Sequence, residues 1–182
     1  KILRDFTKVS FSNDKKREQH INIKICKIDK YTPGKALNIG VKESSNPYIL
    51  IISAHCVLKK FKLKKHLSDL KKYVCIFGNN NPIYNEKKIA KKYIWSHFVD
   101  KEVKNMYSDL EKRYFIHNSI AMYDKKYLSE NPFDELLPRK EDRNWANRVI
   151  NKGKSFLYDP EMEVDHHFTE QGHTWKDYAE KK

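Results

Sequence analysis

The sequence predicts an α/β domain, a mixed and mostly parallel sheet flanked by helices. Two observations carry this expectation. Apolar runs of strand length alternate with stretches whose apolar residues recur at helical spacing. Two of these strands also end in polar side chains: residues 48–56 (YILIISAHC) close on Ser53, His55 and Cys56, and residues 162–168 carry His166 and His167. Open α/β sheets place their ligands at such strand ends.

In chain order, residues 1–20 are expected to be the remnant of a preceding helix and loop, with Ile2, Leu3 and Phe6 on one helical face. Residues 21–170 form the domain, and 171–182 a polar tail. Ile21, Ile23 and Ile25 alternate with polar residues, the period of a half-buried strand. Thr32 suits a helix cap and Pro33 the first helical position. Ala36, Leu37 and Val41 then share one face, and Asn46-Pro47 marks the exit. The continuous run 48–52 reads as a buried central strand, which makes strand, helix and strand a right-handed βαβ unit.

Residues 59–72 read as an amphipathic helix with Phe61, Leu63, Leu67 and Leu70 among lysines. Residues 73–77 form a short strand closed by Gly78. Residues 86–112 look mostly helical, with Ile89, Tyr93, Ile94, Phe98 and Val103 facing inward. Residues 114–122 are extended, Asp124 caps a short helix to Ser129, and 131–135 form a loop. Glu141 and Asp142 open a helix, where acids suit the dipole. Trp145, Ala146, Val149 and Ile150 continue it, and Gly153 stops it. A strand at 155–158, a turn at Asp159-Pro160 and a last strand at 162–168 complete the domain.

The chain has 182 residues, enough for one well-buried core, and 39% of them are hydrophobic. Lys and Arg number 37 against 24 Asp and Glu, a net charge of +13. A basic chain favours anionic partners, but lysine carries most of the charge, whereas specific phosphate or base recognition favours the arginine fork. Nucleic acid is therefore not expected as the partner. The three cysteines have no CxxC spacing, which argues for a reducing compartment and against a disulfide framework or zinc ribbon. No apolar run reaches the roughly 18 residues of a spanning helix, and the opening residues do not read as a signal peptide.

The chemistry concentrates at the two strand ends and the acidic helix start. His55, His166 and His167 suit a divalent ion shared between two strands. Cys56, flanked by Val57 and Leu58, reads as a small buried hydrophobe rather than a nucleophile. A carboxylate at a helix N-terminus beside a site can deprotonate a hydroxyl, and Glu141 and Asp142 can divide basic and capping roles. No Walker or dinucleotide glycine loop is present; glycine numbers only five.

Four stretches together resemble the family 2 glycosyltransferases with the GT-A (Rossmann-like) fold, particularly the rhamnosyltransferase-like branch. These are TPGKALNIGVKES at 32–44, YILIISAHC at 48–56, FIHNSIAMYDKKYLSENPFDE at 115–135 and EDRNWANRVINKGKSFLYDPEMEVDHH at 141–167. The resemblance implies an inverting transfer from a nucleotide-sugar donor to a hydroxyl of a glycan or lipid-linked acceptor, in surface polysaccharide or lipopolysaccharide synthesis. Asp142 matches the catalytic base, with Glu141 beside it. Ser53 and His55 match the Asp-x-Asp positions at the metal and diphosphate, and His166 the late metal-binding His, with His167 adjacent. Asn118 and Trp145 match positions lining the acceptor and donor-sugar pocket, and Lys35 and Asn38 lie in the nucleotide-side segment. The implied cofactor is a divalent metal, Mn or Mg. Because SAH replaces Asp-x-Asp, a softer ion or metal-free diphosphate binding is the alternative. The family's opening strand and nucleotide-binding Asp residues have no counterpart here, so the resemblance implies an N-terminally truncated chain that binds sugar nucleotide poorly as it stands. The expected location is cytoplasmic, with peripheral contact at the inner face of an anionic membrane. The competing readings are a basic, non-catalytic module for nucleic acid or anionic membrane, and an inactive glycosyltransferase remnant.

Overall fold

The computed structural model describes residues 23–170 and Trp175. Residues 1–30 and 31–182 form separate units. In the first, residues 23–30 carry no helix or strand, and Ile23 and Ile25 are 43% and 63% exposed. The strand expected over Ile21, Ile23 and Ile25 is thus not formed where the chain is described. Alternation makes a strand only where a neighbour accepts its hydrogen bonds. Ile21, the remnant at 1–20 and most of the tail at 171–182 lie outside the described residues.

The second unit opens with α1 (Pro33–Glu43), capped as expected: Thr32 Oγ1 accepts from the Lys35 N–H, and Pro33 stands at the first helical position. The helix then presses onto the loop at 133–135. A Cβ on Gly34 would lie 2.3 Å from the Asp134 carbonyl oxygen. The Asn38 amide clamps the same loop, donating to Phe133 O and Glu135 Oε1, both at 2.9 Å, and accepting from Phe133 N at 3.0 Å.

The strands follow as β1 (Tyr48–Ile52) and β2 (Cys56–Lys60), then α2 (Leu63–Asp69), β3 (Cys75–Tyr84) and β4 (Lys87–Lys88). A 3₁₀ turn (Tyr93–His97) leads to β5 (Val103–Lys104), β6 (Tyr107–Ser108), β7 (Arg113–Tyr114) and β8 (Ile120–Asp124). The chain closes with α3 (Lys125–Glu130), α4 (Glu141–Asn151) and β9 (Leu157–His167). The sheet is mixed, in the order β1-β8-β3-β9-β2, with β4 beside β3 and β5 beside β9. β3 and β9 run parallel; the other pairings are antiparallel. No helix among the described residues is long and apolar enough to cross a membrane.

Several sequence expectations change. β1 is an edge strand among the described residues, with Leu50 and Ile52 each 39% exposed, so the βαβ unit is not found. Its apolar run has a different cause: Ile49 and Ile51 pack on one core, Tyr48 on the other. The helix expected from 59 begins only at Leu63, because Cys56–Lys60 pairs with β9 first. Gly78 does not end a strand. It sits inside β3 where β9 bulges, the register jumping from Gly78↔Asp159 to Asn79↔Glu163. The Asp159-Pro160 turn is that bulge. Residues 86–112 hold a 3₁₀ turn and short strands rather than a helix, with Trp95 and Phe98 as anchors 2% exposed.

Period-2 alternation builds a core on each face of the sheet. Cys75 and Phe77 of β3 and Ala121 and Tyr123 of β8 face a large aromatic core under α1, α3 and α4; Ile76, Ile120 and Met122 face the smaller core under α2. Trp145 centres the larger core, wholly buried against Tyr123, Tyr127 and Phe133, its indole N–H donating to Asn131 O at 2.6 Å. Trp145→Ala is expected to lower stability by about 3–5 kcal/mol, read as a lower urea midpoint at unchanged slope.

Candidate active site

The end of β1 is held by the segment that precedes β8. Ser53 donates its N–H to Ser119 O at 3.1 Å and its hydroxyl to Asn118 O at 3.2 Å. A tight turn follows, closed by Cys56 N–H to Ser53 O at 2.9 Å, and His167 N–H holds the His55 carbonyl at 3.0 Å. This turn swings His55 against His166, the two Nε2 atoms lying 2.7 Å apart. Cys56 is the cross-strand partner of His166, so their side chains share a face. The donor atoms of His55, Cys56 and His166 all lie within 4.8 Å of one another. The ring of His167, one residue on along β9, is outside this set; its backbone fixes the turn.

On its inner side, His166 meets Trp95, whose indole N–H donates to Nδ1 at 3.4 Å, and the rings of His117 and Trp175 at 5.7 and 5.8 Å. Burial, then the neighbouring His55 and His167, push the His166 pKa down to about 3. Burial, then His167, lowers that of His55. Both rings are therefore neutral at physiological pH and offer lone pairs. Burial pushes the Cys56 thiol up to about 12, which argues against a free nucleophile.

A divalent metal is implied here by the resemblance. Two imidazoles and a sulfur, with no carboxylate among them, fit a borderline ion; magnesium prefers oxygen ligands.

The second corner is the start of α4. Lys140, in the left-handed region at φ 61°, turns the chain into the helix. Glu141 and Asp142 follow, 8% and 4% exposed. Asp142 Oδ2 accepts from Arg143 Nη1 at 2.6 Å and from Asn118 N–H at 3.2 Å; Oδ1 accepts from Arg143 N–H at 2.8 Å. Arg143 lies 4.4 Å over the Phe115 ring. Glu141 Oε1 accepts from Asn118 Nδ2 at 3.4 Å, and Tyr123 donates its hydroxyl to Asn118 Oδ1 at 2.5 Å. Asn118 is thus a hub: its backbone and side chain touch Ser53, both acids and Tyr123.

Burial, then the charge of Asp142, pushes Glu141 up to about 7. The folded state therefore holds this proton more tightly than the unfolded chain. Its contribution to stability is complete below the ordinary value of 4.5 and is lost as pH rises through about 7. Burial lowers the pKa values of His55, His117 and His166, and these act in the opposite sense below about 6.5, so the Glu141 effect is read as a difference: relative to Glu141→Gln, the parent chain is expected to lose melting temperature between about pH 5 and about pH 8.

Ser53, His55, His166, Asn118, Glu141 and Asp142 are brought into one connected region. The remaining sequence candidates have other surroundings. Asn38 clamps the 133–135 loop, Lys35 is a half-buried α1 residue whose N–H donates to Thr32, and Trp145 lies in the core. Sequence reasoning missed Arg143, Tyr123 and Trp95. Arg143 was findable, since a cation directly following two buried acids has an evident partner.

Residues 4–131 match the family model described as glycosyl transferase family 2. A search of curated proteins gives no match. Among solved structures, the chain resembles Staphylococcus aureus TarS residues 1–349 in complex with UDP-GlcNAc, with a TM-score of 0.60 at 15% identity over 86% of this chain and 45% of that one. It also resembles GalNAc-T7 with UDP, GalNAc and Mn²⁺, at 0.56 and 11% identity over 78% of this chain and 31% of that one. TarS 1–349 alone gives 0.55 at 15% identity over 88% and 46%. The chain thus spans less than half the length of these structures, and at such identities they speak for the fold. With the family model covering more than two thirds of the sequence and the GT-A architecture recurring in these neighbours, the chain belongs to glycosyl transferase family 2.

Proposed function

We propose that the chain transfers a sugar from a nucleotide-sugar donor to a hydroxyl acceptor with inversion at the anomeric carbon. The observation that carries this reading is the Asn118 hub. It ties the His55–His166 corner, a seat for a diphosphate, to the buried acids, a base, through one residue. The solved relatives that hold UDP-GlcNAc, or UDP with Mn²⁺, support the donor class and a divalent ion.

In the reaction the acceptor oxygen forms a bond to the anomeric carbon as the bond from that carbon to the diphosphate oxygen breaks. The acceptor proton passes to Asp142, which Arg143 and Asn118 hold in orientation. Glu141, pushed up to about 7, is the member of the pair that keeps a proton near neutrality. The nucleoside diphosphate departs beside His55 and His166. His55 and His166 would hold a divalent ion there, which when bound would supply positive charge toward the diphosphate.

Within the family, the rhamnosyltransferase-like branch and a glycan or lipid-linked acceptor of surface polysaccharide rest on the four matching segments. A cytoplasmic site at the inner membrane face goes with them. The basic-module alternative loses support at β2 and the turn after it, where the exposed Lys59, Lys60 and Lys62 are each paired with an acid of β9, Asp165, Glu163 and Glu161. The test is nucleoside-diphosphate release from a panel of UDP-, dTDP- and GDP-sugars, with and without glycan and lipid-linked acceptors. Acceptor-dependent release is expected. No release from any donor, with salt-sensitive binding of oligonucleotides or anionic vesicles instead, contradicts the proposal.

A further inference from the structure

We propose that Cys56 completes a three-donor ion site with His55 and His166, and that this site takes zinc or another borderline divalent ion in preference to magnesium. The inference deepens the proposed function by naming the ion at the diphosphate corner, but it concerns ion binding in the absence of any nucleotide.

The geometry is built by backbone. Antiparallel pairing sets Cys56 directly across from His166, placing thiol and imidazole on one face. The turn closed by Cys56 N–H on Ser53 O brings the preceding residue, His55, onto the same face, and His167 N–H pins it there. Around a tetrahedral zinc, nitrogen and sulfur ligands lie about 3.3–3.6 Å from one another. The two Nε2 atoms stand at 2.7 Å, and all three donors lie within 4.8 Å. Small opposite movements, apart for the rings and inward for the thiol, reach that spacing. Three protein donors leave a fourth position open, the arrangement of zinc sites that exchange a ligand.

The donor types choose the ion. Thiolate and imidazole favour zinc or cobalt, while magnesium requires oxygen ligands. The neighbouring Ser53 hydroxyl is engaged with the Asn118 carbonyl. Trp95 opposes the ion in one respect. Its indole N–H points at His166 Nδ1 across 3.4 Å, and ligation through Nε2 places a second N–H on that contact. Removing the indole donor therefore helps the ion.

The test uses Co²⁺ as an optical probe on the full chain without nucleotide, followed by displacement with Zn²⁺ and Mg²⁺. Expected are the visible bands of tetrahedral cobalt with a sulfur-to-cobalt charge-transfer band, displaced by zinc and not by magnesium. Cys56→Ser should abolish the charge-transfer band and weaken binding at least about tenfold. Cys26→Ser should leave the band intact, and Trp95→Phe should bind at least as tightly as the parent chain. The proposal is overturned by an octahedral cobalt spectrum or none, by a Cys56→Ser chain that keeps band and affinity, or by weaker binding in Trp95→Phe that remains folded by circular dichroism. A chain that binds zinc through Cys56 yet releases nucleotide from no donor leaves the ion site standing and removes only the transferase reading.

Discussion

Asp142→Asn is expected to lower the turnover of donor and acceptor about 10²–10⁴-fold, the usual contribution of a positioned general base. The amide has nearly the same shape as the carboxylate but cannot take the acceptor proton. Nucleoside-diphosphate affinity should change little, because the corner proposed for the diphosphate lies between β1, β2 and β9 rather than on α4. A structural loss is separable from a chemical one. The substitution leaves Arg143 stacked on Phe115 and within 3.7 Å of Glu111, so urea unfolding should report a folded chain of reduced stability, not an unfolded one. Initial rates with Asp142→Asn and Glu141→Gln side by side assign the proton. Full activity in Asp142→Asn with loss in Glu141→Gln would move the base to Glu141.

The second large effect is on the fold. Gly78→Ala would place its Cβ 2.1 Å from the Met162 carbonyl oxygen and 2.8 Å from Ile120 Cγ2. Both are fixed: Met162 lies in the bulge of β9, and Ile120 is a fully buried residue of β8. The central pairing must part by most of an ångström, and overpacking of this kind lowers stability by about 3 kcal/mol or more. Thermal melting should register a drop of about 6–12 °C. Gly40→Ala is the matched control. Its Cβ meets nothing within 4 Å, and it lies inside α1, so about 0.5–1 kcal/mol of stabilisation is expected. Equal melting temperatures for the two variants would show that β3 and β9 do not meet in this register.

What the sequence showed and hid follows from the range of the interactions involved. Helices α1, α3 and α4 were legible because their signals are local. Thr32 and Pro33 start the first, Asp124 caps the second, and Glu141 and Gly153 bracket the third. Gly78 misled because a glycine in a strand looks like a stop, whereas its reason lies on another strand 84 positions away from it at Met162. Residues 86–112 misled because loop residues that anchor into a core, such as Phe98, can mimic helical spacing. The candidate site divides in the same way. His55 and His166 were visible as polar residues at strand ends, and the acids as a helix start. The ties from Asn118 to the two acids and to Ser53 span 23 to 65 positions, which no local pattern encodes. Cys56 was discounted for its apolar neighbours Val57 and Leu58, yet those are 51% and 43% exposed on the sheet edge.

The most direct measurement of the central claim is a titration of the chain with UDP, dTDP and GDP, with zinc, manganese or no metal, followed by the imidazole resonances of His55 and His166. One nucleoside diphosphate should shift both rings, even where affinity is weak, and His55→Ala should weaken its binding at least about tenfold while Asp142→Asn leaves it in place. Shifts confined to other histidines, or none with any nucleotide or ion, would contradict a nucleotide-sugar site at the meeting of β1, β2 and β9.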